Sequence, residues 1–162
     1  MDKVVKPIEI RCLGDYYETP KLRDICHSVK DGNDWPIWPI LPELTNLIPK
    51  GCVIVPIPDN QGINEWICCE IARLLGASVS YCLQKSELYS LYNTKKERPV
   101  TEDDVNIEKI GNYGPYGAVV LFDNVVATGT TIKKCMKLIG KPCYVACIAV
   151  DWKTFNDYGL FK

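Results

Sequence analysis

The sequence predicts an α/β protein with a mostly parallel central sheet flanked by helices. Short apolar runs rich in Val, Ile and Tyr read as buried strands, and between them lie stretches whose apolar residues recur at helical spacing. Strand then helix, repeated, is the pattern of a parallel sheet with helical crossovers. At 162 residues there is room for one domain with a sizeable core and not for two ordinary ones.

Residues 1–50 read as an N-terminal extension, 51–150 as the core and 151–162 as a tail that joins the N-terminus in a small hood. Thr19-Pro20 is a cap and first-turn pair for a helix with Leu22, Ile25, Cys26 and Val29 inward, ending near Gly32. The connector "DWPIWPILPEL" follows, its prolines acting as spacers and helix starters and its interleaved Trp and Ile expected to be buried. The first core strand is Cys52 to Ile57. Ile63, Trp66, Ile67, Ile71, Leu74 and Leu75 then recur at helix spacing, with Gly76 as the stop. Ser78 to Leu83 reads as the second strand.

The segment 84–116 has weak periodicity and both charge signs, so it is expected to be a long flexible lid. Ala118 to Phe122 is the third strand. Ile132, Cys135, Met136 and Ile139 mark the next helix, with Lys133, Lys134 and Lys137 on its wet side and Gly140-Lys141-Pro142 as its end. Tyr144 to Val150 completes the sheet.

Charge is nearly balanced, 19 basic against 20 acidic residues, so no global field recruits nucleic acid or a membrane surface and any anion site is local. The start, "MDKVVKPIEIR", is too polar for a signal peptide, and no run approaches the length of a transmembrane helix. A cytoplasmic protein is expected. The nine cysteines lie mostly inside apolar runs such as "CVIVPI" and "YVACIAV" and read as reduced core thiols. Zinc fails on spacing, with no C-x-x-C pair and His27 as the sole histidine. His27, one turn from Arg23, reads as a packing residue or a helix-end charge.

The chemistry concentrates in "VVLFDNVVATGTT", Val119 to Thr131. A buried strand here delivers an acid, Asp123, and then a loop of small and hydroxyl residues at a helix start. Backbone N–H groups of Ala127, Thr128, Gly129, Thr130 and Thr131, with the positive end of the helix dipole, suit a phosphate. The threonines add hydroxyl donors and Gly129 lets the backbone approach closely. Asp123 would repel that phosphate in direct contact, so it suits a sugar diol or a hydrated magnesium ion beside it.

This ordered run resembles the phosphoribosyl pyrophosphate (PRPP) motif of type I phosphoribosyltransferases. "YYETPKLRDICHSVKDGND" and "VIVPIPDNQGINEWICCEIARLLGA" are similar to the ComF-like branch of that family. The resemblance implies a single-domain type I phosphoribosyltransferase-like fold, PRPP as co-substrate, Mg2+ as cofactor, and transfer of the phosphoribosyl group between pyrophosphate and a nitrogenous base in nucleotide metabolism. Asp123 and Asn124 then stand at the ribose-diol positions and Ala127 to Thr131 form the 5'-phosphate loop. Asn124 departs from the family pattern, where an acid is usual; it keeps hydrogen bonds to a diol but removes a charge near the metal.

The Pro-x-Pro segment continues without the arginines common in the ComF-like branch. Pyrophosphate is therefore expected to rely on backbone groups around Asp59, Asn60, Gln61 and Gly62 and on cations elsewhere. Lys85 leads these because it follows the second strand, and Lys95, Lys96 and Arg98 come next; such cations stabilise the departing pyrophosphate. The tail "YVACIAVDWKTFNDYG" loosely resembles that of purine phosphoribosyltransferases, which makes Asp151 a second magnesium ligand and Trp152, Phe155 and Tyr158 a hood for a planar base. Ala127 stands where 6-oxopurine enzymes carry an aspartate, which counts against that acceptor. A homodimer is the family habit. The alternatives are a non-catalytic PRPP- or nucleotide-binding regulatory module, or a ComF-like accessory in competence and DNA uptake, for which the sequence offers no basic stripe.

Overall fold

The computed structural model describes residues 5–86, 100–115 and 117–161. Its centre is a five-stranded, all-parallel sheet formed by β1 (Glu9–Asp15), β2 (Cys52–Pro56), β3 (Ser78–Val79), β6 (Ala118–Val126) and β7 (Tyr144–Val150), in the order β1-β7-β6-β2-β3. A separate antiparallel pair, β4 (Leu83–Lys85) and β5 (Ile107–Lys109), stands apart from it. The helices are α1 (Pro20–Lys30), α2 (Leu41–Thr45), α3 (Ile63–Leu75), α4 (Thr130–Ile139) and α5 (Trp152–Tyr158), with 3₁₀ turns at Trp35–Ile40 and Glu102–Asp104.

Strand alternation divides the core into two layers. Ile54, Val120 and Phe122 face the layer made by α1, α2 and α3, where Leu22, Ile25, Ile37, Leu44, Ile67 and Ile71 are buried. Val53, Val55, Val119, Leu121 and Val145 face the other layer, made by α4, the β4–β5 pair and the tail. Burying such a Val, Leu, Ile or Phe side chain contributes roughly 1.5–3 kcal/mol. Central β2 and β7 and the first part of β6, Ala118 to Phe122, are apolar on both faces, which is why they read as unbroken hydrophobic runs.

The chain leaves β2 through α3 to reach β3 on one side, and leaves β6 through α4 to reach β7 on the other. The two helices pack on opposite faces. Neighbouring β2 and β6 thus flank the point where the strand order reverses, and the crevice beyond their carboxyl ends is where open α/β sheets bind ligands.

The α1 expectation agrees in detail, with Leu22, Ile25, Cys26 and Val29 as its buried residues. Four expectations need correction. The first fifty residues are not an appendage, because β1 pairs along β7 from Glu9 to Asp15 and completes the sheet. In the proline-rich connector Ile37 and Ile40 are buried, but Trp35 and Trp38 are exposed, the latter edge-on to Trp66 at 5.2 Å. The single strand at Ser78 to Leu83 divides in two, since only Ser78–Val79 joins the large sheet. Residues 100–115 of the expected lid are partly anchored: Val105 and Ile107 are buried in the second layer, and Glu102 bridges Lys133 and Lys137 of α4 at 3.4 and 3.0 Å. Lys95, Lys96 and Arg98 lie outside the described residues. No helix among the described residues is long and apolar enough to cross a membrane.

Candidate functional site

The region beyond the carboxyl ends of β2 and β6, where such sheets form a crevice, gathers several polar groups. After β2, the turn Pro58 to Gly62 leads into α3, and the Asp59 carboxylate folds back onto its start. Asp59 Oδ1 accepts from the Gln61 and Ile63 amides at 3.1 and 3.0 Å, and Oδ2 from the Asn64 amide at 2.7 Å. The Ile63 and Asn64 amides are ones that the first turn of a helix cannot satisfy internally, and a carboxylate there also suits the helix dipole. The backbone groups expected to hold pyrophosphate around Asp59 to Gly62 are therefore partly engaged by Asp59 itself. Gln61 is turned the other way, its side chain against Gly32.

Asn60 remains at the exposed rim and takes Lys85: the Lys85 ammonium donates to Asn60 Oδ1 at 2.9 Å. Lys85 arrives from β4 rather than from the main sheet, yet still reaches the crevice. Burial draws its ammonium below its ordinary range, opposed by the negative charges of Asp59 and Asp123.

Asp123 lies within β6, which runs four residues past the expected end at Phe122. It keeps a part of its surface open, but protein atoms crowd the carboxylate. This desolvation pushes the carboxyl up to about 6, and Asp59 pushes the same way; hydrogen bonds from Asn64 and Asn124 and the charge of Lys30 act against it. Both of its hydrogen bonds among the described residues fall on Oδ1, from Asn64 Nδ2 at 3.1 Å and from the Asn124 amide at 2.8 Å. Asn124, the other expected diol residue, is buried and turns its side-chain oxygen onto the Val125 amide at 2.7 Å.

The loop Ala127 to Thr131 connects β6 to α4. Thr128 and Thr130 share a hydroxyl hydrogen bond of 2.9 Å, and Thr130 is buried. Gly129 has φ +87°, and a Cβ there would stand 2.6 Å from Cε2 of Phe161. The tail thus covers one side of this turn, helped by the Leu160 amide donating to the Thr128 carbonyl at 2.9 Å. The other side carries the start of α4, where the amides of Thr131 and Ile132 have no acceptor within the helix.

Asp151 lies elsewhere on the edge. It caps α5, accepting from the Thr154 amide at 3.0 Å and the Thr154 hydroxyl at 2.7 Å. Cys147 pairs with Asp123 across β6 and β7, and Asp151 follows four residues later. At about 3.3 Å per strand residue the two acids are about 13 Å apart along the strands, too far for one ion to touch both. Of the expected base hood, Phe155 is buried in the core with Trp152 edge-on to it at 5.4 Å, and only Tyr158 is fully exposed. His27 is exposed on α1 and hydrogen-bonds the Tyr16 hydroxyl at 3.0 Å.

Two residues of the crevice are absent from the sequence-based set. Lys30 supplies positive charge from the end of α1. Asn64 is completely buried and holds Asp123 directly. Its sequence signal is a polar residue on the apolar stripe that continues with Ile67, Cys68 and Ile71. No protein-family model matches the chain, and no curated protein matches it significantly.

Proposed function

We propose that the chain is a type I phosphoribosyltransferase-like protein that binds PRPP in the crevice between β2 and β6 and transfers its phosphoribosyl group between pyrophosphate and a nitrogenous base. The observation that carries this reading is one sheet edge, at a topological switch point, with Asp123, Asn60 and Lys85 together and the Thr128–Thr131 loop following on the same strand.

In this reading the start of α4 and the threonine hydroxyls take the 5'-phosphate. Asp123 accepts hydrogen bonds from the ribose hydroxyls. Lys85 faces the pyrophosphate, where positive charge stabilises the leaving group as the sugar gains oxocarbenium character. Among the described residues no group of three or more acidic, His or Cys side chains could hold a metal by itself. Magnesium held largely by substrate phosphates needs only one or two carboxylates. Asp123 meets that need, since Oδ2 has no hydrogen bond among the described residues, whereas both Asp151 oxygens are engaged. The ion, when bound, neutralises charge on the pyrophosphate. The nine free thiols suit a reducing, cytoplasmic setting.

A second reading, a non-catalytic PRPP- or nucleotide-binding module, is favoured by Asn124 turning its side chain inward and by Phe161 covering Gly129. Calorimetry with PRPP and magnesium, paired with a pyrophosphate-release assay over a panel of bases, separates the two. Turnover that is lost in Asp123→Ala supports transfer. Binding without turnover on any base supports the module, and absence of binding removes both.

A further inference from the structure

We infer that Asn64 is the positioning residue that aims Asp123, and that it thereby sets selectivity for ribose over 2-deoxyribose in the phosphorylated sugar; the inference rests on the ribose-phosphate reading of the crevice. The side chain of Asn64 is fully buried at the start of α3. Its two amide protons are both used: Nδ2 donates to the Ile57 carbonyl at 2.9 Å and to Asp123 Oδ1 at 3.1 Å. The Ile57 carbonyl belongs to backbone just beyond β2, so Asn64 ties the end of one central strand to the acid on its neighbour.

The same residue carries a cost. Asn64 Oδ1 is buried and has no hydrogen-bond partner. An unsatisfied buried acceptor is unfavourable, and an aliphatic side chain of the same shape would avoid it. A polar residue kept on an apolar stripe at such a cost is a local inconsistency of the kind found at functional sites. What Asn64 achieves in return is orientation. With Oδ1 of Asp123 held by Asn64 Nδ2 and by the Asn124 amide, the carboxylate plane is fixed and Oδ2 is left to accept from a ligand. A fixed acceptor distinguishes a sugar that offers a hydroxyl from one that lacks it more sharply than a rotating carboxylate does.

The experiment is equilibrium binding of ribose 5-phosphate, 2-deoxyribose 5-phosphate and inorganic phosphate to the full chain and to Asn64→Leu, which removes the orphan acceptor together with the donor. Native folding of the variant is checked by circular dichroism and thermal melting, with Asn64→Ala as the second variant if Asn64→Leu does not fold. The wild-type protein is expected to prefer ribose 5-phosphate by about tenfold or more. In the variant that ratio should fall below about threefold while inorganic phosphate binds unchanged. An unchanged sugar ratio in a folded variant overturns the role of Asn64 and leaves the site reading standing. Loss of phosphate affinity in parallel with both sugars makes Asn64 a general structural residue and also overturns it. A wild-type protein that binds neither sugar phosphate removes the site reading, and the inference falls with it.

Discussion

Asp123 is held in a state that its environment opposes, and replacing it with asparagine should reveal how strongly. Burial lifts its carboxyl from the usual 3.8 to about 6. At about 1.4 kcal/mol per pH unit, keeping this group ionised in the fold costs about 3 kcal/mol. The folded state holds the proton more tightly than the unfolded chain does. The resulting stability is therefore fully present below pH 3.8 and is lost as pH rises through about 6. Asp123→Asn preserves an acceptor for the Asn64 and Asn124 donors and removes the titration. Urea denaturation of both proteins from pH 4 to pH 8 should show the variant gaining about 2 kcal/mol on the wild type between about pH 4 and pH 7, because part of the shift is already spent by pH 4. With a slope of roughly 2 kcal/mol per molar urea, that is about 1 M in midpoint. A difference that stays flat with pH, or one in which the wild type gains as pH rises, refutes the desolvation argument. The same variant should bind ribose 5-phosphate more weakly than the wild type, the exchange of stability for function expected at a binding site.

Other substitutions test the supports of the crevice. Asp59→Ala leaves the Ile63 and Asn64 amides at the start of α3 and the Gln61 amide of the preceding turn without their acceptor and should lower stability by about 1–2 kcal/mol, measured by thermal or urea unfolding. Gly129→Ala forces φ +87° on a residue with a Cβ and drives that atom against Phe161. A loss of at least about 1–2 kcal/mol is expected; combined with Phe161→Ala, the total should be less than the sum of the single losses, because the clash is then relieved. Thr130→Val removes the hydroxyl paired with Thr128 at 2.9 Å, and should weaken phosphate binding severalfold in calorimetry at a stability cost of about 1 kcal/mol.

How much of this was legible in the sequence depended on burial. Strand β7 was readable from end to end because six of its seven residues are buried, which produces an unbroken apolar run. Strand β1 was hidden for the opposite reason. As an edge strand it carries Glu9, Arg11 and Asp15 among half-buried neighbours, and its assignment depends on pairing with β7, more than 130 positions away. The second strand was misjudged because Cys82 and Leu83 are as apolar as a sheet strand needs to be, yet they are buried by the β4–β5 pair under α4. Trp35 and Trp38 show that bulk and apolarity do not enforce burial when a proline-rich turn directs neighbouring Ile37 and Ile40 inward.

The candidate site divided in the same way. Asp123, Asn60 and Lys85 could be chosen by chemistry and by position after a strand, and they do share the crevice. The occupation of α3's first amides by Asp59, the cover that Phe161 lays on Gly129, and the capping role of Asp151 are side-chain contacts that no spacing in the sequence encodes. Asn64 left a trace, a single polar residue on an apolar helical stripe, whose meaning emerged only once Asp123 was found beside it.

The most direct test of the central claim is a crystal structure of the protein with ribose 5-phosphate. The account requires the phosphate against the Thr128–Thr131 turn and the start of α4, and a sugar hydroxyl within hydrogen-bond distance of Asp123 Oδ2. Density for the ligand elsewhere, or an empty crevice at a concentration well above the measured Kd, contradicts it.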